Sequence, residues 1–207
     1  MTGRMTGLKS EGPGGLEGCG AMPDTTRQRV LGAALELFCE EGYAAGSLRA
    51  IADRVGITQA AVYYHFRAKD DLLDGLLTAP LDDLDARLDD AAQRRAAEGV
   101  TDRRALLAAL HDHARAWPDV VRLLERDATV ARHPTYRGRR DTQRGRCVAL
   151  LSGATAGPGA VLAAAAVALL VAPVVAALSE DPGDRELLLD AALRVLDTPY
   201  RHAHQAE

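Results

Sequence analysis

Side chains that could recognise a ligand are concentrated in ten positions, Ile57 to Phe66, whose sequence is ITQAAVYYHF. The whole chain has only five Tyr, two Phe and one Trp, yet Tyr63, Tyr64 and Phe66 all lie in this stretch. An exposed tyrosine presents an apolar ring and a hydroxyl group, which match the sugar carbons and phosphate oxygens of a DNA backbone. The residue types therefore indicate recognition of DNA rather than catalysis.

Smaller features of the same stretch fit a helix that approaches a DNA groove. Gln59 can form two hydrogen bonds with an adenine edge, and the methyl groups of Ala60 and Ala61 suit the thymine methyl. The amino end of a helix also directs unpaired N–H groups at phosphate. The alternative is that all three rings are core residues. Val62 and Phe66 are four positions apart and share one helix face, so we expect Phe66 to be buried and at least one tyrosine to be exposed.

Patterns typical of an enzyme or a metal site are weak. His111 and His113 are two positions apart on a predicted helix and point about 200° apart, so they cannot share one metal ion. The sequence has no zinc-ligand spacing, phosphate-binding loop or nucleophile elbow. Cys19, Cys39 and Cys147 are odd in number, which is typical of a reducing, cytoplasmic setting. We expect no enzymatic activity, no catalytic residue, no metal and no cofactor.

The elements that position ITQAAVYYHF are predicted to be helices, because apolar residues recur at helical period and no period-two alternation is sustained. The first helix is expected to begin near Thr25 with a capping box. Ser47 is a candidate N-cap of a short second helix, Gly56 ends that helix, and Thr58 caps a third. Two short helices joined by a glycine turn are typical of a helix-turn-helix.

The rest of the chain is predicted to be helical as well. A long helix from Lys69 is expected to kink or restart at Pro80. Further helices are expected over about 103–116, from Pro118, from Pro134 to about Ser152, over about 159–179, and around 188–196. The segment EDPGD, residues 180–184, is expected to be a turn.

The stretch SLRAIADRVGITQAAVYYHFRAKDDLL resembles the DNA-binding head of the tetracycline-repressor (TetR) family of bacterial regulators. The resemblance covers about Thr25 to Leu73. Its matching positions are Phe38, Gly42, Ile51, Ala52, Gly56, the aromatic run Tyr63 to Phe66, and Lys69. One departure is Ala60, where many family members carry glycine, and we expect it to alter site preference more than fold.

The resemblance implies a homodimeric repressor that binds a palindromic operator in double-stranded DNA and is released by a small-molecule effector. By family position, Arg49 and Gln59 would read bases. The residues that would hold phosphates are Thr58, Tyr63, Tyr64, His65 and Lys69. The full predicted DNA-binding set is Ser47, Arg49, Thr58, Gln59, Ala60, Tyr63, Tyr64, His65 and Lys69. Replacement of Lys69 is expected to weaken binding to all DNA sequences about equally.

The resemblance also implies a fold class that is all-α, with an N-terminal three-helix head and a C-terminal helical bundle that dimerises. The predicted domains are a disordered tail (1–24), a helix-turn-helix domain (25–72), an effector-binding and dimerisation domain (73–200) and a second disordered tail (201–207). Candidate dimer-interface residues are Ala164, Ala168, Val171, Val175, Leu188, Ala192 and Val195. Candidate effector-pocket residues are His111, Trp117 and Tyr136.

The charge pattern does not by itself indicate DNA binding, because the net charge is −4 and any basic surface must be local. The acidic stretch Asp82 to Asp90 is expected to be a solvated face. An arginine cluster follows, made of Arg132, Arg137, Arg139, Arg140, Arg144 and Arg146. Three interpretations of this cluster stay open: a solvated surface, a site for an anionic effector, and pairing with the acidic stretch.

Two rival classes of protein also stay open. One is a helical ligand-binding protein or enzyme with a vestigial helix-turn-helix. The other is a membrane-associated protein, because Ala160 to Leu178 is 19 residues long without a charge. Against a membrane span, most of this run is alanine, Pro173 interrupts it, and basic flanks are missing. We expect no membrane insertion and a cytoplasmic, nucleoid-associated location.

Overall fold

The computed structural model describes residues 26–153, 157–158, 160–167 and 182–198. In this part of the chain the backbone forms helices joined by short turns, and no strand occurs. The prediction of an all-α fold with an N-terminal helix-turn-helix and a C-terminal helical domain is confirmed. The helices are α1 (Thr26–Glu41), α2 (Leu48–Val55), α3 (Gln59–His65), α4 (Lys69–Glu98), α5 (Arg103–Ala116), α6 (Pro118–Arg126), α7 (Ala128–Ala131), α8 (Pro134–Ser152), α9 (160–167) and α10 (Pro182–Asp197).

Local sequence explains why α2 and α3 form where they do. Ser47 has an extended backbone before α2, and its Oγ accepts a hydrogen bond from the N–H of Ala50 at 3.1 Å. Gly56 ends α2 with a φ of 75°, a left-handed conformation that glycine adopts without steric cost. Thr58 caps α3 in the same way, because its Oγ1 accepts a 3.2 Å hydrogen bond from the N–H of Ala61. The predicted caps and turn are confirmed.

The head closes over an apolar core shared by α1, α2, α3 and the first half of α4. Val62 is fully buried and Phe66 is 1% exposed, so this face of α3 holds the helix onto the head, as predicted. The same core includes residues of α6, α7 and α8. The domain boundary proposed between residues 72 and 73 lies inside this core, because Leu72 and Leu73 are both fully buried.

A second core holds the C-terminal helices together. It is formed by the second half of α4 with α5, α8, α9 and α10. At its surface, Arg104 of α5 pairs with Glu186 and Asp190 of α10 at 2.5 and 2.7 Å. Helix α6 contributes to both cores, with Val120 in the first and Val121 in the second. It is therefore an element through which the head contacts the C-terminal helices.

Helix α4 is continuous over 30 residues, with Pro80 inside it. Of the two outcomes predicted at Pro80, a kink or a restart, the restart does not occur. Proline removes one N–H donor, and the carbonyl of Leu76 loses its usual helical partner. However, Leu76, Leu77 and Leu81 are all buried, and their packing keeps the two halves of α4 in one helix. Gln143 of α8 reinforces this region with a 2.9 Å hydrogen bond to the carbonyl of Leu81.

The acidic face of α4 is paired with arginines of α8. Arg139 lies 2.6 Å from Asp82 and 2.7 Å from Asp85. Arg146 lies 3.2 Å from Asp85 and also contacts Asp89. Asp82 and Asp89 are exposed, as expected for a solvated face, and they are also paired with arginines because the packing of α8 along α4 brings opposite charges together. For these two arginines, pairing with α4 is the correct interpretation among the three left open.

Some helix boundaries differ from the prediction. Helix α10 begins at Pro182, so Gly183 and Asp184 are helical and not part of a turn. Proline at the first helical position lacks only an N–H that would have no helical partner. The four-residue helix α7 is not predicted by the sequence pattern. The expected start at Thr25 and most of the predicted alanine-rich helix lie outside the described residues.

Within the described parts of the chain, no helix is long and apolar enough to cross a lipid bilayer. Residues 168–178 of the uncharged run lie outside these parts.

Candidate DNA-binding interface

The outer face of the helix-turn-helix carries most of the predicted DNA-binding residues. The side chains of Gln59 and Ala60 are exposed. Tyr63 is 46% exposed and Tyr64 is 85% exposed, so the alternative that all three rings are core applies only to Phe66. Large apolar rings in water are unusual unless a partner covers them. This face of α3 therefore has the chemistry of a contact surface.

The remaining predicted residues of the helix-turn-helix differ in how free their side chains are. Ser47 and Thr58 are exposed but each hydroxyl already caps a helix. Arg49 is exposed on α2, and no ion pair holds it among the described residues. His65 is partly buried, with its ring edge-on to Tyr64 at 5.1 Å between centroids. The structure thus brings these residues to one end of the head, where the guanidinium of Arg49 forms no ion pair with any described residue.

The basic side chains near this face are not all available to DNA. Arg54 turns back to α1, where it lies 2.6 Å from Glu40 and 3.9 Å from Glu36. Arg67 is exposed; its backbone N–H donates to Asp71 at 2.7 Å, but within the described residues its guanidinium has no carboxylate partner. Of the arginines between Ser47 and Lys69, Arg49 and Arg67 therefore have side chains that remain available to phosphate.

Lys69 occupies a different position from the other predicted phosphate ligands. Its Nζ donates a 3.1 Å hydrogen bond to the carbonyl of Ala44. The same Nζ lies 4.3 Å from the ring centroid of Tyr43 and 5.7 Å from that of Phe38. Burial lowers the pKa of the Lys69 ammonium, while the charges of Asp127 and Asp70 oppose this shift. Lys69 ties the first turn of α4 to the connection between α1 and α2.

A joint between the head and α6–α7 is missed by sequence reasoning. The Tyr43 hydroxyl donates a 2.5 Å hydrogen bond to Oδ1 of Asp70, and the Tyr43 N–H donates a 2.6 Å bond to Oδ2 of Asp127. Burial and the hydrogen bond to Asp70 raise the pKa of the Tyr43 phenol. Tyr43 and Asp127 are 84 positions apart, and no motif spacing links such residues. The end of α1 is therefore fixed to α4 and to α7 by one side chain and one backbone group.

A cavity of about 150 Å³ lies among α4, α5, α6 and α8. Of the three predicted effector-pocket residues, Trp117 lines this cavity. His111 instead contacts Asp112 at 3.2 Å, and Tyr136 lies in the core that the head shares with α8. The structure thus does not bring the three residues together. A neighbour that the sequence analysis set aside, His113, does line the cavity.

One wall of the cavity is organised by Asp83. Its carboxylate accepts hydrogen bonds from Nδ1 of His113 at 2.7 Å and from Nε1 of Trp117 at 3.3 Å, and Arg87 pairs with it at 3.0 Å. Burial alone would raise the pKa of Asp83, but the hydrogen bonds from Arg87, His113 and Trp117 lower it below its usual value. Burial lowers the pKa of His113, and Asp83 opposes that shift. At neutral pH, therefore, His113 is neutral and faces an ionised Asp83.

The predicted dimer-interface residues are only partly on the surface. Ala164 is fully buried and Ala192 is buried within the C-terminal core, Leu188 is partly buried, and Val195 is 47% exposed. Ala168, Val171 and Val175 lie outside the described residues. The buried alanines face inward because α9 and α10 pack within the chain's own second core. On α9 and α10, the large exposed apolar side chains that the prediction did not name are Val161, Leu162 and Leu187.

Metal coordination has no candidate in the described residues, which contain no group of three or more His, Cys, Asp or Glu side chains arranged around a common point.

Comparison with known proteins identifies the head. The family described as "Bacterial regulatory proteins, tetR family" matches residues 30–76. The chain is 41% identical over 59 residues to the HTH-type transcriptional regulator SrpR of Pseudomonas putida, covering 28% of each chain. It is 41% identical over 58 residues to the HTH-type transcriptional repressor KstR2 of Rhodococcus jostii, again over 28% of each chain. These curated relatives are thus matched over less than a third of their length.

Similarity in structure extends further along the chain. The crystal structure of Mycobacterium smegmatis AmtR covers 87% of this chain and is itself covered to 91%, with a TM-score of 0.68 and 29% sequence identity. The relatives matched by sequence are named as transcriptional regulators. The head of this chain, with its exposed α3 face and its two capped helices, therefore belongs to the tetR family of bacterial regulatory proteins.

Proposed function

We propose that this protein is a DNA-binding transcriptional regulator that acts as a repressor in the bacterial cytoplasm. The observation that carries the proposal is the outer face of α2 and α3, where Gln59, Tyr63, Tyr64 and Arg49 are exposed. An amide and a guanidinium group can read base edges, and tyrosine hydroxyls can hold phosphates. Membership of the head in the tetR family supports the same assignment.

The second part of the proposal is a homodimer. Val161 and Leu162 of α9 and Leu187 and Val195 of α10 are all more than 40% exposed, which is costly in water unless a partner covers them. A second copy would place two heads on one DNA molecule. Their α3 helices would then occupy adjacent major grooves of a palindromic operator about 34 Å apart.

The third part is release by a small effector in the cavity beside Trp117. Trp117, Val120 and Leu124 line this cavity, and all three also pack with the core of the head. A ligand that favours a different position of α6 would shift this shared packing, and α1 packs directly on α6. The heads would then favour a spacing that fits the operator less well, and the population of the DNA-binding state would fall.

Selection of genomic DNA fragments by the purified protein tests the proposed function. The wild-type protein should enrich a small set of palindromic fragments. Against such a fragment, Gln59→Ala should lose about 1–3 kcal/mol of discrimination at one base position. The matched control Arg137→Ala changes an arginine on α8 whose side chain is 70% exposed, and it should bind like wild type. Failure to enrich any fragment, or equal losses for both variants, would contradict the proposal.

The rival function, a ligand-binding protein or enzyme with a vestigial head, makes a distinct prediction in the same experiment. Such a protein would bind all fragments with equal, salt-dependent affinity, because only general attraction to phosphate would remain.

A further inference from the structure

The cavity beside α6 has mostly apolar walls and one unusual charged group. Leucines of α4 and α5, Trp117 and Val121 supply the apolar lining. Arg140 of α8 lines the same cavity. A volume of about 150 Å³ holds a single six-membered ring with a small substituent. The shape therefore restricts an occupant to a compact, largely apolar molecule.

Arg140 differs from its neighbours in the arginine cluster. Arg139 and Arg146 each pair with two carboxylates of α4. Arg140 donates one hydrogen bond, from Nη1 to the carbonyl of Ala131 at 2.9 Å, and within the described residues no carboxylate lies at ion-pair distance from it. Burial and the charge of Arg144 lower the pKa of its guanidinium, and the charges of Glu125 and Asp141 offset this only in part. A partly buried cation without an anion is costly, and a bound anion would offset that cost.

The other polar groups around the cavity contribute less charge to its interior than Arg140 does. Arg144 and Glu125 also line the cavity, but both are exposed and so belong to its mouth. Arg144 already lies 3.9 Å from Asp141. His113 is neutral and donates its Nδ1–H to Asp83, which leaves its Nε2 as an acceptor without charge. Inside the cavity, therefore, the fixed positive charge comes from Arg140.

We propose that this cavity binds a small, largely apolar monocarboxylate, with its carboxylate on the guanidinium of Arg140 and its apolar body against Trp117. A planar guanidinium matches a carboxylate with two parallel hydrogen bonds. Apolar walls reject a second charge, because no group inside the cavity would compensate for its lost hydration. The regulatory role of this ligand rests on the function proposed above, whereas its binding does not.

Fluorescence of Trp117 tests the proposal directly, because the full chain contains one tryptophan. Benzoate and benzamide serve as probes of nearly equal shape, of which only benzoate carries the charge. Benzoate should change the fluorescence saturably and bind at least about tenfold more tightly than benzamide, which corresponds to about 1.4 kcal/mol. Equal affinities for the two probes, or no saturable change with benzoate, would overturn the proposal.

Three variants locate the charge that is responsible. Arg140→Gln should remove the preference for benzoate, and Arg140→Lys should retain part of it. The control Arg137→Gln, at an exposed arginine one turn away, should bind benzoate like wild type. Thermal unfolding of each variant checks that it is folded. If Arg140→Gln is unfolded, the test is Arg140→Lys, whose preference for benzoate should be smaller than that of wild type. A preference for benzoate that survives in Arg140→Gln, or is lost in Arg137→Gln, would refute the assignment.

A change at Glu125 should have the opposite effect on benzoate binding. It is the carboxylate among the described lining residues, and it repels an incoming anion. Glu125→Gln should therefore tighten benzoate binding, and weaker binding would count against the proposed site. Parallel DNA selection separates the two proposals: DNA binding without benzoate binding refutes the ligand class alone, and benzoate binding without DNA selection refutes the regulatory function alone.

Discussion

Gln59 and Thr58 are neighbours in the head, but only Thr58 also has a structural role. Gln59 is exposed at the start of α3, and within the described residues its side chain makes no hydrogen bond. Thr58, immediately before it, uses its hydroxyl to cap α3. Loss of the Gln59 amide would therefore affect DNA alone, whereas loss of the Thr58 hydroxyl would also weaken the helix. The sequence predicted both residues as DNA ligands and also predicted the capping role of Thr58, which its hydrogen bond to the N–H of Ala61 confirms.

Lys69 is expected to stabilise the head as well as to act on DNA. Lys69→Met keeps the apolar stem but removes the hydrogen bond to Ala44 and the contact with the Tyr43 ring. We expect a loss of about 1–2 kcal/mol in the free energy of unfolding, measured by urea denaturation. Arg67→Met, at an exposed neighbour, should cost less than about 0.5 kcal/mol. If Lys69→Met leaves stability unchanged but lowers the salt dependence of DNA binding, Lys69 acts on phosphate alone.

His113 is expected to make stability depend on pH on the acid side of neutrality. Burial lowers its pKa in the folded protein, whereas an unfolded histidine titrates near about 6.5. As the pH falls through that value, the unfolded chain takes up a proton before the folded chain does, so stability decreases. Its stabilising contribution is thus present above about pH 6.5 and lost as the pH falls towards the folded pKa.

The measurement is the free energy of unfolding at pH 7.5 and at pH 5.5. Wild type should lose stability between these two values, and His113→Gln should lose less, because glutamine does not titrate. Carboxylates with lowered pKa values, such as Asp83, lose their contribution to the free energy of unfolding only below about pH 5. They therefore do not affect the comparison between pH 7.5 and pH 5.5. An equal loss in both proteins would show that His113 does not carry the effect.

Among the elements, the turn between α6 and α7 fixes the head to the C-terminal helices. Asp127 accepts hydrogen bonds from the N–H of Thr129 and Val130, which caps α7, and from the N–H of Tyr43 in the head. Burial alone would raise the pKa of Asp127, but these backbone donors lower it. One carboxylate therefore satisfies donors from two parts of the fold.

Asp127→Ala should lower the free energy of unfolding by about 2 kcal/mol, because it removes a helix cap and leaves the Tyr43 N–H without its acceptor. Chemical denaturation measures the change. Asp141→Ala is the matched control, since Asp141 forms only long surface ion pairs, at 3.7 and 3.9 Å, and such pairs contribute little. A cost at Asp127 no larger than at Asp141 would mean that the joint is not held by this carboxylate.

At the same scale, local signals in the sequence predict helices better than they predict contacts. Caps at Ser47 and Thr58 and the turn at Gly56 depend on neighbouring residues, and the sequence predicts them correctly. The continuity of α4 through Pro80 depends on how the leucines around it are buried, and of the kink or restart that the sequence predicts, the restart does not occur. The pairing of Arg139 with Asp85, 54 positions apart, depends on how α8 packs along α4. No local pattern contains that information.

For the whole molecule, the two apolar cores are joined by α4, α6 and α8, which contribute to both. A ligand beside Trp117 therefore contacts helices that also form the core of the head. The structure places most of the predicted DNA-binding residues at one exposed end of the head, because they come from a short local motif, and their contact with DNA stays a prediction. Of the three residues that the sequence predicted for an effector pocket, Trp117 lines the cavity and the other two do not. A cavity among four helices is defined by how the helices pack, and residue spacing does not reveal it.

The proposed operator binding depends on the proposed dimerisation through α9 and α10. Leu187 is 65% exposed and Val195 is 47% exposed on α10. The double change Leu187→Glu and Val195→Glu would bury two charges in an interface between copies, which is strongly unfavourable. The variant should therefore have the mass of one chain in analytical ultracentrifugation, whereas wild type should have the mass of two.

The same variant should bind a palindromic fragment about a hundredfold more weakly, because a second head on one DNA molecule adds affinity through effective concentration. Val100→Glu is the matched control, since Val100 is equally exposed at 65% but lies in the turn between α4 and α5. It should remain a dimer with wild-type DNA affinity. A wild-type protein that sediments as a single chain at micromolar concentration would contradict the dimer. A double variant that stays dimeric would instead place the interface away from this face of α10.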